Sequence, residues 1–204
     1  MKVVTNNLKF NQKLNEMREY AKLNHVPIIN DEGLSFLKTI IALYKPKNIL
    51  EIGTAIGYSS SIMSMTSDST VYTIERDEVM YNEAKKNISD LNLDGKVNII
   101  FDDALNSFDK LSDKKFDMIF IDAAKAQYTK FFELYTPLLN KGGIVVCDNM
   151  YFHNLVNSDL ESLSKNVRNM VKKLQMFHEF LLNNENYETS IFDIGDGISI
   201  SISK

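Results

Sequence analysis

Five short runs rich in β-branched residues punctuate the chain: "NILEIG" at 48–53, "TVYTIE" at 70–75, "VNIIF" at 97–101, "DMIFID" at 117–122 and "GIVVCD" at 143–148. Helical patterns separate them, for example "RDEVMYNEAKKNISDLNL" and "AQYTKFFELYTPLLN". Apolar runs of this length, alternating with amphipathic helices, predict an α/β fold whose strands lie parallel and are joined by right-handed crossovers. The C-terminal part breaks the rhythm. "YETSIFDI" and "GISISIS" flank Gly195-Asp196-Gly197, which predicts an antiparallel hairpin at one end of the sheet. Two helices are expected before the first strand, one over Leu8 to Asn24 and one opening near Asn30 or Asp31 and stopping at Pro46. With 204 residues and no repeat or linker, the whole chain, 1–204, is expected to form one domain.

Composition excludes more than it assigns. No apolar run approaches the roughly 20 residues of a membrane span, and the polar N-terminus does not resemble a secretory signal, so a cytoplasmic location and no membrane partner are expected. Cys147 is the single cysteine, which excludes an internal disulfide framework and a cysteine-based zinc cluster. A net charge of −4 provides no general attraction to nucleic acid; any such binding needs a local basic patch.

The first strand leads into "EIGTAIGYS". Gly53 ends the strand and Gly57 precedes a helix, positions where glycine permits positive φ and the close approach of a ligand. Glu75 ends the second strand, where a carboxylate can accept hydrogen bonds from a ribose diol. A dinucleotide binder calls for G-x-G-x-x-G. The spacing here is G-x-x-x-G, with Glu51 two residues ahead of the first glycine, which suits a cationic nucleoside cofactor such as S-adenosylmethionine; a tight turn without a ligand is the alternative. Asp102 and Asp103 follow the third strand, where an acid could hold an adenine amino group with Ala104 against the ring, or serve only as a solvated strand end or cap.

Asp122 ends the fourth strand, and Asp148 and Asn149 end the fifth. Neighbouring strands stand about 4.8 Å apart, and ligands collect beyond the C-terminal edge of an open parallel sheet. Two carboxylates and an amide oxygen converging there make an all-oxygen site suited to Mg²⁺ or another hard divalent cation. Unrelated loop caps are the alternative. Lys125 follows Asp122 by three residues, above the same crevice. A lysine can act as a base where burial or a neighbouring cation favours its neutral form.

Taken together, "EIGTAIGYS", "YTIE", "FIDAAKAQY" and "VVCDN" resemble the metal-dependent S-adenosylmethionine O-methyltransferases of the catechol and caffeoyl-coenzyme A type. The resemblance implies a Rossmann-like class I methyltransferase fold: a seven-stranded sheet of order 3-2-1-4-5-7-6, helices on both faces, and the last-added strand antiparallel. It implies metal ligation by Asp122, Asp148 and Asn149, catalysis by Lys125 with Asp122, and cofactor contacts at Glu51, Gly53, Ser59, Glu75, Asp103, Ala104 and Asp122. Residues 1–46 would cover the cleft, with Ile29 of "HVPII" near the cofactor, and relatives are often homodimers. Many relatives read D-A-D-K where this chain reads "DAAK", so a second acid is missing.

Within that group "HVPII", "YTIER", "KFFELY" and the "GDG" ending look most like the bacterial tRNA 5-hydroxyuridine methyltransferases. The resemblance therefore makes the anticodon loop of tRNA the first expected partner, with methylation of wobble 5-hydroxyuridine to 5-methoxyuridine. A small catechol-like vicinal diol is the alternative acceptor, and a non-catalytic RNA- or cofactor-binding module is the alternative of another class. Catechol and 5-hydroxyuracil both place two oxygens on adjacent carbons, so a metal centre cannot separate them. Lys165, Arg168 and Lys172, at i, i+3 and i+7, with Lys173 alongside, could meet RNA phosphates, and Tyr151 and Phe152 could stack on a base. A solvated helix face is the plain alternative. His25, His153 and His178 have no metal spacing, Cys147 reads as core, and Tyr128 and Phe132 read as packing residues.

Overall fold

In a computed structural model, the described residues are 12–151, 155, 161 and 163–204. The order of elements is α1 (Gln12–Leu23), α2 (Asp31–Tyr44), β1 (Asn48–Ile52), α3 (Tyr58–Ser67), β2 (Thr70–Glu75), α4 (Glu78–Asp90), β3 (Val97–Phe101), β4 (Phe116–Ile121), α5 (Tyr128–Tyr135), β5 (Leu139–Cys147), α6 (Lys165–Leu182), β6 (Tyr187–Phe192) and β7 (Ile198–Ser203). The helix expected from Leu8 is described only from Gln12. Every expected strand is present, and β5 starts four residues ahead of the apolar run, in the polar "LNKG".

All seven strands form one sheet in the order β3-β2-β1-β4-β5-β7-β6, the order implied by the resemblance. β1 pairs in parallel with β2 and β4, β2 with β3, and β4 with β5, whereas β7 runs antiparallel to both β5 and β6. Two apolar layers sandwich it. Ile49, Val71, Met118 and Val146 pack with α1, α2 and α3 residues on one face; Leu50, Ile52, Ile119, Val145 and Cys147 pack with α5 and α6 residues on the other. The central strands are covered on both faces, which is why they read as near-continuous apolar runs. No helix among the described residues is long and apolar enough to cross a membrane.

Local chemistry sets the helix ends that border the crevice. Asn30 caps α2, its side chain accepting from Gly33 N–H at 2.8 Å, and Asp31 and Glu32 complement the helix dipole. At the far end of α2, away from the crevice, Lys45 closes the helix in the left-handed conformation just before Pro46. At the N-terminal edge of the sheet, Asp117 accepts from Lys47 N–H (2.8 Å), Asn48 N–H (3.0 Å) and the Asn140 amide (2.9 Å), tying the starts of β1, β4 and β5 together. Partial burial works to raise the Asp117 pKa, but the Asn48, Asn140 and Lys47 donors outweigh it and hold the carboxyl below its usual range. A carboxylate depressed in the fold stabilises above its unfolded pKa, and that stability is lost as pH falls through the folded value. Urea unfolding at pH 7 and pH 3 should therefore show a smaller acid-induced drop for Asp117→Asn than for the wild type; equal drops would remove this role.

Candidate active site

A cavity of about 700 Å³ opens beyond the C-terminal ends of β1, β2, β4 and β5. Its wall includes Ile29 and Asn30 from the segment between α1 and α2, Gly53 and Ser59 from the glycine turn, Glu75 from β2, Asp103 and Ala104 after β3, and Asp122, Lys125, Asp148 and Asn149. Of the expected cofactor contacts, Ile29, Gly53, Ser59, Glu75, Asp103, Ala104 and Asp122 thus share one hollow.

Glu51 departs from the expectation of direct contact. It is fully buried beneath the glycine turn and outside the cavity wall. The pleat of β1 turns it to the face of Ile49, under the start of α3. There it accepts from Ser59 Oγ and Thr73 Oγ1, each at 2.5 Å, and Thr73 in turn meets Thr54 Oγ1 at 2.6 Å. Ser59 and Thr54 carry this network to the cavity surface. Burial pushes the Glu51 carboxyl up to about 8, against the two hydroxyl donors that favour the charged form.

Glu75 reaches the cavity from the end of β2. One carboxylate oxygen accepts from Ala55 N–H at 2.8 Å; the other accepts from Arg76 N–H at 2.9 Å and Asp77 N–H at 2.8 Å. The glycine turn is thereby anchored to the acid at its side. Asp103 accepts from Leu105 N–H and pairs with Arg76 at 3.3 Å, while Asp102 pairs with Lys110 at 2.7 Å.

The two strand-end acids and the amide do meet. Asn149 Nδ2 lies 3.0 Å from Asp122 Oδ1 and 3.2 Å from Asp148 Oδ2. Burial raises the pKa of both carboxyls; Lys125 opposes this at Asp122, whereas Asp122 adds to it at Asp148. Asp148 Oδ1 is buried and has no hydrogen-bond partner among the described residues. A buried carboxylate and a half-buried one at one amide, with an acceptor oxygen left over, form a donor set deficient in positive charge, and this fits a hard divalent cation. The amide satisfies both acids through its nitrogen; turned by half a rotation about its last bond, it presents its oxygen to the same point. Among the described residues no three His, Cys, Asp or Glu side chains cluster at metal-binding distance, because the third member here is an amide.

Several wall residues were not singled out from the sequence. Asp196, in the β6–β7 turn, also lines the cavity, and its charge further raises both Asp122 and Asp148. Tyr58 lines the cavity at the start of α3, and Arg18 of α1 bonds both its hydroxyl (3.4 Å) and Asp31, fastening α1 to the wall. Asp196 lies beyond α6 in the sequence, and only the closing hairpin brings it back. The basic stripe is less uniform than its spacing implies. Lys165, Lys172 and Lys173 are exposed, but Arg168 Nη2 donates to the Glu161 carbonyl at 3.0 Å and the Leu163 carbonyl at 3.2 Å. Tyr151 is half-buried with its ring 6.1 Å from that of His178; Phe152 and His153 lie outside the described residues. Cys147 is buried in β5, and burial pushes its thiol up to about 12, leaving it inert.

Strand order, reversed β7 and a carboxylate-rimmed crevice define the S-adenosylmethionine-dependent methyltransferase class. A family model described as O-methyltransferase matches residues 3–204, and the chain belongs to that family. A caffeoyl-CoA O-methyltransferase of Populus kitakamiensis is 29% identical over 201 residues, covering 93% of this chain and 85% of the relative. A Staphylococcus aureus structure provisionally named a caffeoyl-CoA O-methyltransferase is 46% identical, with a TM-score of 0.90 over 95% of this chain and 93% of that one. An O-methyltransferase of Bacillus cereus, crystallised with S-adenosylhomocysteine, shares the fold at 24% identity, with a TM-score of 0.84 over 97% and 93% of the two chains.

Proposed function

We propose that the protein transfers a methyl group from S-adenosylmethionine to one hydroxyl of a small vicinal diol of the catechol type, with a divalent cation held by Asp122, Asp148 and Asn149. The observation that carries this reading is the convergence of those three side chains beside Lys125 in one cavity. About 700 Å³ suits a nucleoside cofactor with a compact acceptor, and the Populus relative is named for a small-molecule acceptor. We read residues 1–204 as one catalytic domain, with residues 1–46 covering its cleft.

When bound, the cofactor supplies an electrophilic methyl group and the cation favours the ionised form of an acceptor hydroxyl. The chain provides the rest. Glu75 accepts from the ribose hydroxyls, Asp103 from the adenine amino group, and Ala104 packs on the ring. Gly53 and Ser59 bring backbone and hydroxyl against the amino-acid end, with Glu51 holding Ser59 in place. Asp122, Asp148 and Asn149 are the residues that would hold the cation, which would help to orient the acceptor hydroxyl. Lys125 Nζ takes the proton from the hydroxyl that receives the methyl group.

Incubation with S-adenosylmethionine, Mg²⁺ and a catechol should yield a mono-O-methyl product, and a chelator should stop it. Lys125→Ala should lower kcat by about 10²- to 10⁴-fold and leave S-adenosylhomocysteine affinity nearly unchanged. A wild-type rate without the lysine would exclude it as the base. Supplied instead with tRNA carrying 5-hydroxyuridine, the enzyme should form little 5-methoxyuridine; a preference for that RNA would replace the small-molecule reading with the tRNA one.

A further inference from the structure

The strand end that carries Asp148 and Asn149 is unusual in its backbone. Asn149 has φ +59°, in the left-handed region, which is uncommon for a non-glycine residue although asparagine tolerates it better than most. Relaxation to negative φ would require the peptide between Asp148 and Asn149 to rotate, swinging the Asp148 carbonyl out of place. That carbonyl is held. The Tyr128 hydroxyl donates to Asp148 O at 3.0 Å from a fully enclosed position at the start of α5. On the other side of Asn149 the β6–β7 turn takes the next two amides: Met150 N–H donates to Gly197 O at 2.9 Å and Tyr151 N–H to Asp196 O at 2.7 Å. Gly197 itself has φ +86°, and a Cβ there would stand 2.9 Å from Tyr151 N, so the turn closes on this segment only as glycine.

Packing does not account for the Tyr128 hydroxyl. The ring meets Phe177 edge-on at 5.5 Å, a contact that phenylalanine would make equally well. A phenol taken out of water needs partners; the Ala123 backbone also bonds this hydroxyl, and the carbonyl it donates to is the one whose rotation would release Asn149.

We infer that Tyr128 is a positioning residue: its hydroxyl locks the Asp148–Asn149 peptide so that the Asn149 amide faces Asp122 and Asp148. The inference rests on the reading of those three side chains as a divalent-cation site. Tyr128 touches neither cation nor substrate in this role; it acts through the backbone, with the Gly195–Gly197 turn as the opposing jaw.

Tyr128→Phe in the full-length protein tests it, with direct Mn²⁺ binding followed by the spin-resonance signal of the free ion. Losing one buried hydrogen bond predicts Mn²⁺ affinity about fivefold to tenfold weaker, while S-adenosylhomocysteine affinity by calorimetry stays within about twofold of wild type. Leu181→Ala, a cavity at the far end of α6, serves as the packing control; it should lower the melting temperature and leave Mn²⁺ affinity unchanged. Gly197→Ala, which opens the other jaw, should weaken Mn²⁺ binding in the same direction as Tyr128→Phe. Wild-type Mn²⁺ affinity in Tyr128→Phe overturns the positioning role and leaves the cation site standing, as does an equal loss in Leu181→Ala. Failure of the wild type itself to bind Mn²⁺ overturns the cation site and this inference with it.

Discussion

Asp148→Ala is expected to reduce methyl transfer by at least about 10²-fold, the scale of loss when reacting groups are no longer held in line, with S-adenosylhomocysteine affinity largely preserved. The separation follows from where the side chain sits. Asp148 is 1% exposed at the end of β5, at the amide shared with Asp122. The groups proposed to hold the nucleoside, Glu75 and Asp103, end β2 and follow β3 on the other side of β1. The same geometry makes a second, opposite expectation. Two carboxylates held side by side repel unless a cation lies between them or one takes up a proton. In the presence of a chelator, Asp148→Ala should therefore melt no earlier than wild type, although it removes a buried side chain. In Mg²⁺ the wild type should gain thermal stability and the variant should not. A parallel loss of cofactor binding and transfer would sink the division of labour between the two halves of the crevice.

What the sequence discloses and what it conceals divide along physical lines. β1, β2 and β4 were legible because both faces of the sheet are covered, which forces consecutive apolar residues. The strand order was not contained in those runs; it came from the resemblance. The beginning of β5 was hidden, since Leu139–Gly143 mixes polar residues with a glycine at φ +73° and joins the ladder only because β4 lies beside it. Asp122, Asp148 and Asn149 could be brought together on paper because adjacent parallel strands put successive strand ends side by side. Glu51 shows the limit of that reasoning: its distance from the glycines was evident, but its burial beneath Ser59 depends on strand pleat and on how α3 settles. The Tyr128 hydroxyl and Asp196 were further out of reach, because their contacts span 20 residues in one case and a long return through α6 in the other. Spacing also overstated one feature, the basic stripe, whose Arg168 is turned to backbone carbonyls at its own helix start.

Gly53→Ala should be the most damaging single-methyl change in the chain. A Cβ on Gly53 would stand 2.2 Å from the Asp122 carbonyl oxygen and 3.0 Å from its carbon, and the residue has φ +102°. The clash is with backbone. Asp122 N–H donates to Ile52 O at 3.0 Å, and Gly53 N–H to Ile74 O at 3.2 Å, so the ends of β1, β2 and β4 are pinned together where the methyl group must enter. Backbone strain alone costs about 1–3 kcal/mol; relieving the overlap must also part β1 from β4, displacing the glycine turn and Asp122 at once. Cofactor affinity and Mn²⁺ affinity should therefore fall together, each by at least about tenfold, the equivalent of 1.4 kcal/mol, unlike the separable losses expected at Asp148. Gly95→Ala and Gly142→Ala separate the two causes, since both glycines have positive φ (+80° and +73°) but nothing within 4 Å of the added carbon. They should lose stability modestly and keep both affinities. If Gly53→Ala behaves like them, the close approach of the two strand ends is not what shapes the crevice.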